Sequence, residues 1–262
     1  MAEWRMGVPL PLRSDAIRIV PVYHVGDIGA VSDAAQAVPS AQLTYRGGPL
    51  LTGVQVFTIF WGQPWSAAQS ALASHLNQFF DAILGGPLID QLAEYSTAGM
   101  NIGHGKRIGS ATITAPAPAR SVSDGAIQHF LQQEIATNAS VPQATSQTLY
   151  FVYLPPGTTV TQGGSRSCQA FCGYHNDIAG QIFYAVMPFA GCNGCTGSMP
   201  VSDAMTLTSS HELCESITDP VPGQGSYDDA NGEIGDICAW QAKTVTGFTV
   251  QKEWSNKANA CV

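Results

Sequence analysis

The sequence predicts a single α/β domain, α+β in its C-terminal part, with a mixed sheet, one motif-bearing helix and short C-terminal strands. Three observations lead there. Runs of β-branched and aromatic residues of strand length recur at 54–61 (VQVFTIFW), 148–154 (TLYFVYL) and 181–189 (QIFYAVMPF). Stretches with helical periodicity lie between and after them. A chain of 262 residues with 45% hydrophobic content is long enough to fill one core.

Taken in order, residues 1–42 show little pattern beyond IRIVPVYHV and read as an N-terminal extension, a linker or a pro-segment. The core domain, 43–262, opens at Leu43. The strand at 54–61 leads to a helix over 66–84, whose Ala71, Leu72, Leu76, Phe79, Phe80, Ile83 and Leu84 share a face. Gly85-Gly86-Pro87 ends it, and a shorter helix is expected at 88–95. An alternating pattern at 101–114 predicts a strand, APAPAR a turn, and Ser123-Asp-Gly-Ala the start of a helix reaching about residue 136. Between the strands at 148–154 and 181–189 the Gly- and Cys-rich sequence, CGYHN included, reads as loop. A helix over 209–220 follows, then a loop at 223–231, then short strands in WQAKT and FTVQKEW.

The net charge of −8, with 11 basic residues, argues against nucleic acid or an anionic membrane as partner. No apolar run reaches the ~18 residues that span a bilayer. The opening MAEWRMGVPLPLRSD lacks the apolar stretch of a signal peptide, so either the chain stays in the cell or a signal has been removed. Few lysines, many Gly, Ser and Thr, and an Asn-Ala-Ser sequon at Asn138 point toward secretion. Seven cysteines lie at 168, 172, 192, 195, 214, 238 and 261. Cys214 falls on an apolar helix face and is read as a buried thiol. The remaining six suit disulfides, with Cys168–Cys172, Cys192–Cys195 and Cys238–Cys261 as the expected pairs. The rival reading is a four-cysteine zinc site from CQAFC and CNGC.

The chemistry concentrates in SSHELCESITDP. On a helix, His211, Glu212, Glu215 and Asp219 project within about a 100° arc, while Leu207, Ser210, Leu213, Cys214 and Ile217 face the core. An imidazole and a carboxylate at i and i+4 can hold one metal ion, with Glu212 beside them to take a proton from its water. This is the HExxH logic with glutamate in the second histidine's place. The bland alternative is a solvated acidic helix face. Glu233-Ile-Gly-Asp236 lies 22 residues past His211, a spacing similar to that at which thermolysin-like enzymes supply a third glutamate ligand and a supporting aspartate. From 167 to 242 there are nine carboxylates and no Lys or Arg, a charge that a bound cation would balance. The order of strands and motif helix suits a zincin-like mixed sheet.

Several motifs together resemble the exordium family of phosphate-induced proteins and its bacterial and fungal relatives. They are YRGGPLLTG (45–53) with Trp61-Gly62, CGYH (172–175), YAVMPFAGCNGC, SHELCESITDP and GEIGDIC. The resemblance runs in order from 45 to 262. It implies secretion, disulfides, and family-type roles for His175, His211, Glu212, Glu215, Glu233 and Asp236. The N-terminal 42 residues and the shorter SYDDANGE loop depart from plant members.

The sequence therefore points to a secreted zinc-dependent hydrolase, most readily a metallopeptidase acting on peptide or protein substrates. Its expected metal ligands are His211, Glu215 and Glu233. Glu212 is the general base, His175 an oxyanion helper, and Asp219 or Asp236 orients His211. Two non-catalytic alternatives stay open. In one, calcium is held by Glu215, Asp219, Asp228, Asp229, Glu233 and Asp236 for stability. In the other, exposed Trp and Tyr residues make it a wall or carbohydrate-binding protein.

Overall fold

The structure is a computed structural model that describes residues 19–22 and 41–262. Most of the stretch read as an N-terminal extension lies outside the described residues. Of its described residues, 19–22 and 41–42, the first three form β1 (Ile19–Pro21), a strand of the main sheet. β2 (Thr44–Tyr45) is short, and β3 (Gln55–Trp61) realises the first expected strand. Helix α1 (Ser70–Ile83) buries Leu76, Phe79, Phe80 and Ile83. It starts at Ser70 rather than 66 because residues 63–66 form a separate 3-10 turn with proline at its start. α2 (Pro87–Leu92) likewise opens on a proline, whose missing N–H is not needed in a first turn.

β4 (Lys106–Ile113) and β5 (Ser121–Ser123) precede α3 (Asp124–Thr137), whose N-cap Ser123 accepts the Ala126 N–H at 3.2 Å. β6 (Thr148–Tyr153) follows, and β7 (Thr159–Gln162) and β8 (Ser165–Arg166) join β5 in a small side sheet. β9 (Phe171–Ile178) and β10 (Ile182–Met187) come next, then the one-turn α4 (Asn193–Thr196) and the long α5 (Val201–Thr218). The short C-terminal strands are present as β12 (Ala242–Val245), β13 (Phe248–Gln251), β14 (Trp254–Ser255) and β15 (Ala260–Cys261), after β11 (Ser226–Tyr227).

The main sheet has the order β1-β9-β10-β6-β3-β4. β4, β3, β6 and β10 run parallel, and β9 turns back antiparallel to β10. Helices cover both faces, which is why the central strands read as unbroken apolar runs. Phe60, Phe151, Tyr153 and Met187 pack with α1, α2 and α5 on one side. Phe57, Tyr150, Val152 and Tyr184 pack with Ile127, Phe130 and Leu131 of α3 on the other.

Two expectations are corrected here. CGYHN is not loop: it lies in β9, whose mixture of small, polar and aromatic residues hides a strand with one polar-facing site. The cysteines pair crosswise, Cys168–Cys192 and Cys172–Cys195, stapling the start of β9 to α4 with Cα separations of 5.9 and 5.5 Å. Near neighbours do not pair because Cys172 already lies in the extended strand, directed across to α4. With all four sulfurs bonded in pairs, no thiolate remains for a four-cysteine zinc site. Cys238–Cys261 is paired as expected, and Cys214 is a buried free thiol.

Candidate metal centre

Helix α5 carries the motif, and its two faces are not divided into core and solvent. Every residue from Ala204 to Thr218 is buried, because β9 and β10 lie against one side and the β12–β13 hairpin against another. The solvated acidic face is therefore excluded. His211, Glu212, Glu215 and Asp219 all have no exposed surface. Gln251 N–H donates to Ser210 Oγ at 2.8 Å and so fixes the hairpin on the helix.

Around Glu215 the histidines and carboxylates converge. His211 Nε2 lies 2.9 Å from Glu215 Oε1, the i,i+4 pair expected from the helix repeat. His175, brought in by β9, places Nδ1 3.2 Å from Glu212 Oε2 and 3.5 Å from Glu215 Oε2. Its Nε2 lies 3.5 Å from Glu233 Oε1 and 3.2 Å from the Asp219 carbonyl oxygen. The loop after β11 closes the other side: the Asp236 N–H donates to Glu215 Oε1 at 3.1 Å, and Asp236 Oδ2 accepts the Glu233 N–H at 3.0 Å. Gly235 permits this approach, since a Cβ there would lie 2.7 Å from His211 Nδ1.

Charge in this enclosure is unusual. Glu212, Glu215, Asp219, Glu233 and Glu253 are all fully buried, with His175 and His211 among them. Burial pushes the pKa of Glu233 and Glu253 well above the ordinary value, and raises Glu212 as well. Burial acts on Glu215 in the same sense, but His211 and His175 beside it overcome that and hold it down at about 2. Burial alone would lower both histidines. Glu215 instead lifts His211 to about 10, and Glu233 with Glu212 and Glu215 lifts His175 well above its usual value.

Several of these buried atoms have no well-formed hydrogen bond: Glu212 Oε1, Glu215 Oε2, both oxygens of Glu233, and His211 Nε2 despite its short approach to Glu215. Buried polar atoms are rarely left so. Acceptors and an imidazole nitrogen aimed into one dry space suit a cation. Two trios are close enough to share one: His175, Glu212 and Glu215, and His211, Glu215 and Asp236. Glu215 belongs to both.

The expected site residues thus meet in one place, with altered neighbours. His175 sits among the carboxylates as a ligand candidate. Glu233, expected as the third ligand beside His211 and Glu215, reaches His175 instead and belongs to neither trio. Asp219 does not orient His211; its carboxylate accepts the N–H groups of Gly223, Gln224 and Gly225 at 2.6, 3.0 and 2.5 Å. The calcium set does not assemble. Asp228 accepts from Ala230 and Asn231, and Asp229 pairs with Arg46 at 2.7 Å. Two residues were not foreseen. Gln251 Nε2 lies 2.8 Å from both His211 Nδ1 and Gly235 O, and Glu253 lies near His211 beside Cys214. The signal for them is the two-residue spacing in FTVQKEW, which puts a glutamine at the end of β13 and a glutamate just beyond it.

No family model matches the chain, and no curated protein matches it. One solved structure, described as "Structure of a chaperone-substrate complex", is similar at 18% identity with a TM-score of 0.32. The similarity covers 62% of this chain and 23% of the other, so this chain spans under a quarter of that one's length. A likeness of that size carries no argument about fold or function.

Proposed function

We propose that the protein is a secreted, metal-dependent hydrolase of peptides, with a zinc-type ion held by the trio of His211, Glu215 and Asp236, which leaves Glu212 beside it as base. One observation carries this reading: two imidazoles and several carboxylates converge with oxygen and nitrogen atoms left without hydrogen bonds. Such a mixed donor set suits zinc better than calcium, which seeks oxygen alone. When bound, the ion would supply an acidified water. Glu212 is placed to take a proton: His175 holds Oε2, and Oε1 is left free beside Gly173 of β9. The three disulfides agree with an oxidising, extracellular setting. The motif resemblance to the exordium family belongs to the same proposal and adds no activity of its own.

A second reading is favoured by burial. All of His175, His211, Glu212, Glu215 and Glu233 are 1% exposed or less, which suits an ion that holds the fold together. The carbohydrate reading has little support, because Tyr45 is the one largely exposed aromatic among the described residues. The deciding experiment measures metal content and hydrolysis of a mixed peptide library for the wild type, Glu212→Gln and Glu215→Gln. For the hydrolase, Glu212→Gln keeps its metal and loses about 10²-fold or more in turnover, while Glu215→Gln loses both. Unchanged turnover in Glu212→Gln sinks the mechanism, and metal without any hydrolysis in the wild type selects the structural ion.

A further inference from the structure

β1 is three residues long, yet it closes the sheet beside the candidate centre. Val20 lies opposite Gly173 of β9, Ile19 opposite Tyr174 and Pro21 opposite Phe171. At Gly173 the strand presses on α5, since a Cβ would lie 2.7 Å from Thr208 Cγ2 and 3.1 Å from Glu212 Oε1. The residue paired with Gly173 therefore sits one backbone away from the proposed base, and β1 also touches α5.

What holds β1 makes few demands on sequence. Val20 and Val22 are buried while Pro21 between them is exposed, the alternation of a strand with one inward face. The Val22 N–H donates to Ala170 O at 3.2 Å, and Trp240 Nε1 donates to Pro21 O at 3.1 Å from the opposite wall. Val22 fits against Gly194, where a Cβ would come within 3.1 Å of its own. The slot is thus the β9 edge, Trp240 and the disulfide-stapled α4. It reads main-chain groups and two small apolar side chains.

We infer that this slot is a peptide-binding edge, which takes an extended peptide with small apolar residues two apart as an added antiparallel strand, and that residues 19–22 are its intramolecular occupant. Strand addition of this kind draws affinity from the main chain and selectivity from alternate side-chain pockets. While β1 is seated, the site residues stay covered; a vacated slot bares the β9 edge next to Glu212. Binding at the slot stands without any metal chemistry. Only the step that makes the bound peptide a substrate rests on the hydrolase reading.

The test uses the full chain with a protease site placed between residues 23 and 40, cut after folding, and a fluorescent peptide IRIVPVYHV followed by anisotropy with chelator present. The cut chain should bind the peptide saturably as its own N-terminal fragment is displaced, and the uncut chain should not. A peptide with aspartate in place of both inward valines should bind at least about 10-fold more weakly, because each buries an unpaired charge. In parallel, the uncut chain carrying Val20→Asp and Val22→Asp should bind the unmodified peptide; should that variant unfold, the cut chain decides alone. A fragment that no excess of peptide displaces overturns the inference, as does equal binding of the aspartate peptide. Saturable binding with chelator present, and no cleavage of the bound peptide once the chelator is replaced by excess zinc, upholds the slot and sinks only the hydrolase. Cleavage of peptides by a chain whose slot binds none sinks the slot and leaves the hydrolase standing.

Discussion

Gly235 is a position where the centre tolerates little. A methyl group there would meet His211 Nδ1 at 2.7 Å and Glu215 Oε1 at 2.9 Å. Gly235→Ala is expected to destabilise the fold by about 1–3 kcal/mol, the usual range for overpacking, and to weaken metal binding with it; denaturant unfolding and metal analysis would check both. Gln251 offers a gentler probe. The Gln251 amide nitrogen bridges Gly235 O and His211 Nδ1, each at 2.8 Å, and its oxygen accepts the Trp240 N–H, so it fixes the plane of the His211 ring. Gln251→Leu should weaken metal binding by about 10-fold or more, read by competition with a chelator, while the melting temperature of the stripped protein changes much less. The residues on α5 and in Glu233-Ile-Gly-Asp236 were legible because the helix repeat and chain spacing bring them together. Gln251 and Glu253 were not, since they reach the site through a hairpin whose docking on α5 no local pattern encodes.

Elements with apolar periodicity were the easiest to read. β3, β6 and β10 announce themselves because both of their faces are buried, and α1 because only one of its faces is. β9 escaped notice for a physical reason: its inward residues include Gly173, which makes room for α5, and His175, which serves the polar cluster. β1 is too short for any period to show. The crossed disulfides depend on β9 and α4 lying side by side, which cysteine spacing does not reveal. Titration of the unfolded, unreduced protein should find one free thiol, Cys214; finding several would break the pairing described above. The Cys238–Cys261 bridge, across 23 residues, ties the 3-10 turn Asp236–Cys238 to β15. Its replacement by two alanines should lower stability by about 2–4 kcal/mol, measured by urea unfolding. Metal content should fall with it, because that turn positions Asp236 against Glu215.

For the molecule as a whole, the buried charges set how stability follows pH. His211, lifted from 6.5 to about 10, stabilises the metal-stripped fold fully below pH 6.5, and that contribution is lost as pH rises through 10. Glu215, held down from 4.5 to about 2, contributes above 4.5 and loses its effect as pH falls toward 2. Glu233 and Glu253, pushed up by burial, hold their protons more tightly folded than unfolded, so each weakens the fold as pH climbs past 4.5. The stripped protein should therefore melt highest near about pH 5 and lower by pH 8. Added zinc should raise the melting temperature more at pH 8 than at pH 5, as an ion that replaces protons must. Thermal scans at both pH values, with and without metal, check the sign. The complete enclosure of α5 has a consequence in time as well as in energy. An ion enclosed by β9, β10, the β12–β13 hairpin and the loop after β11 can escape only when one of these walls swings away. Its release into excess chelator should then proceed at a rate indifferent to chelator concentration, and that rate should match amide hydrogen exchange in whichever wall opens first.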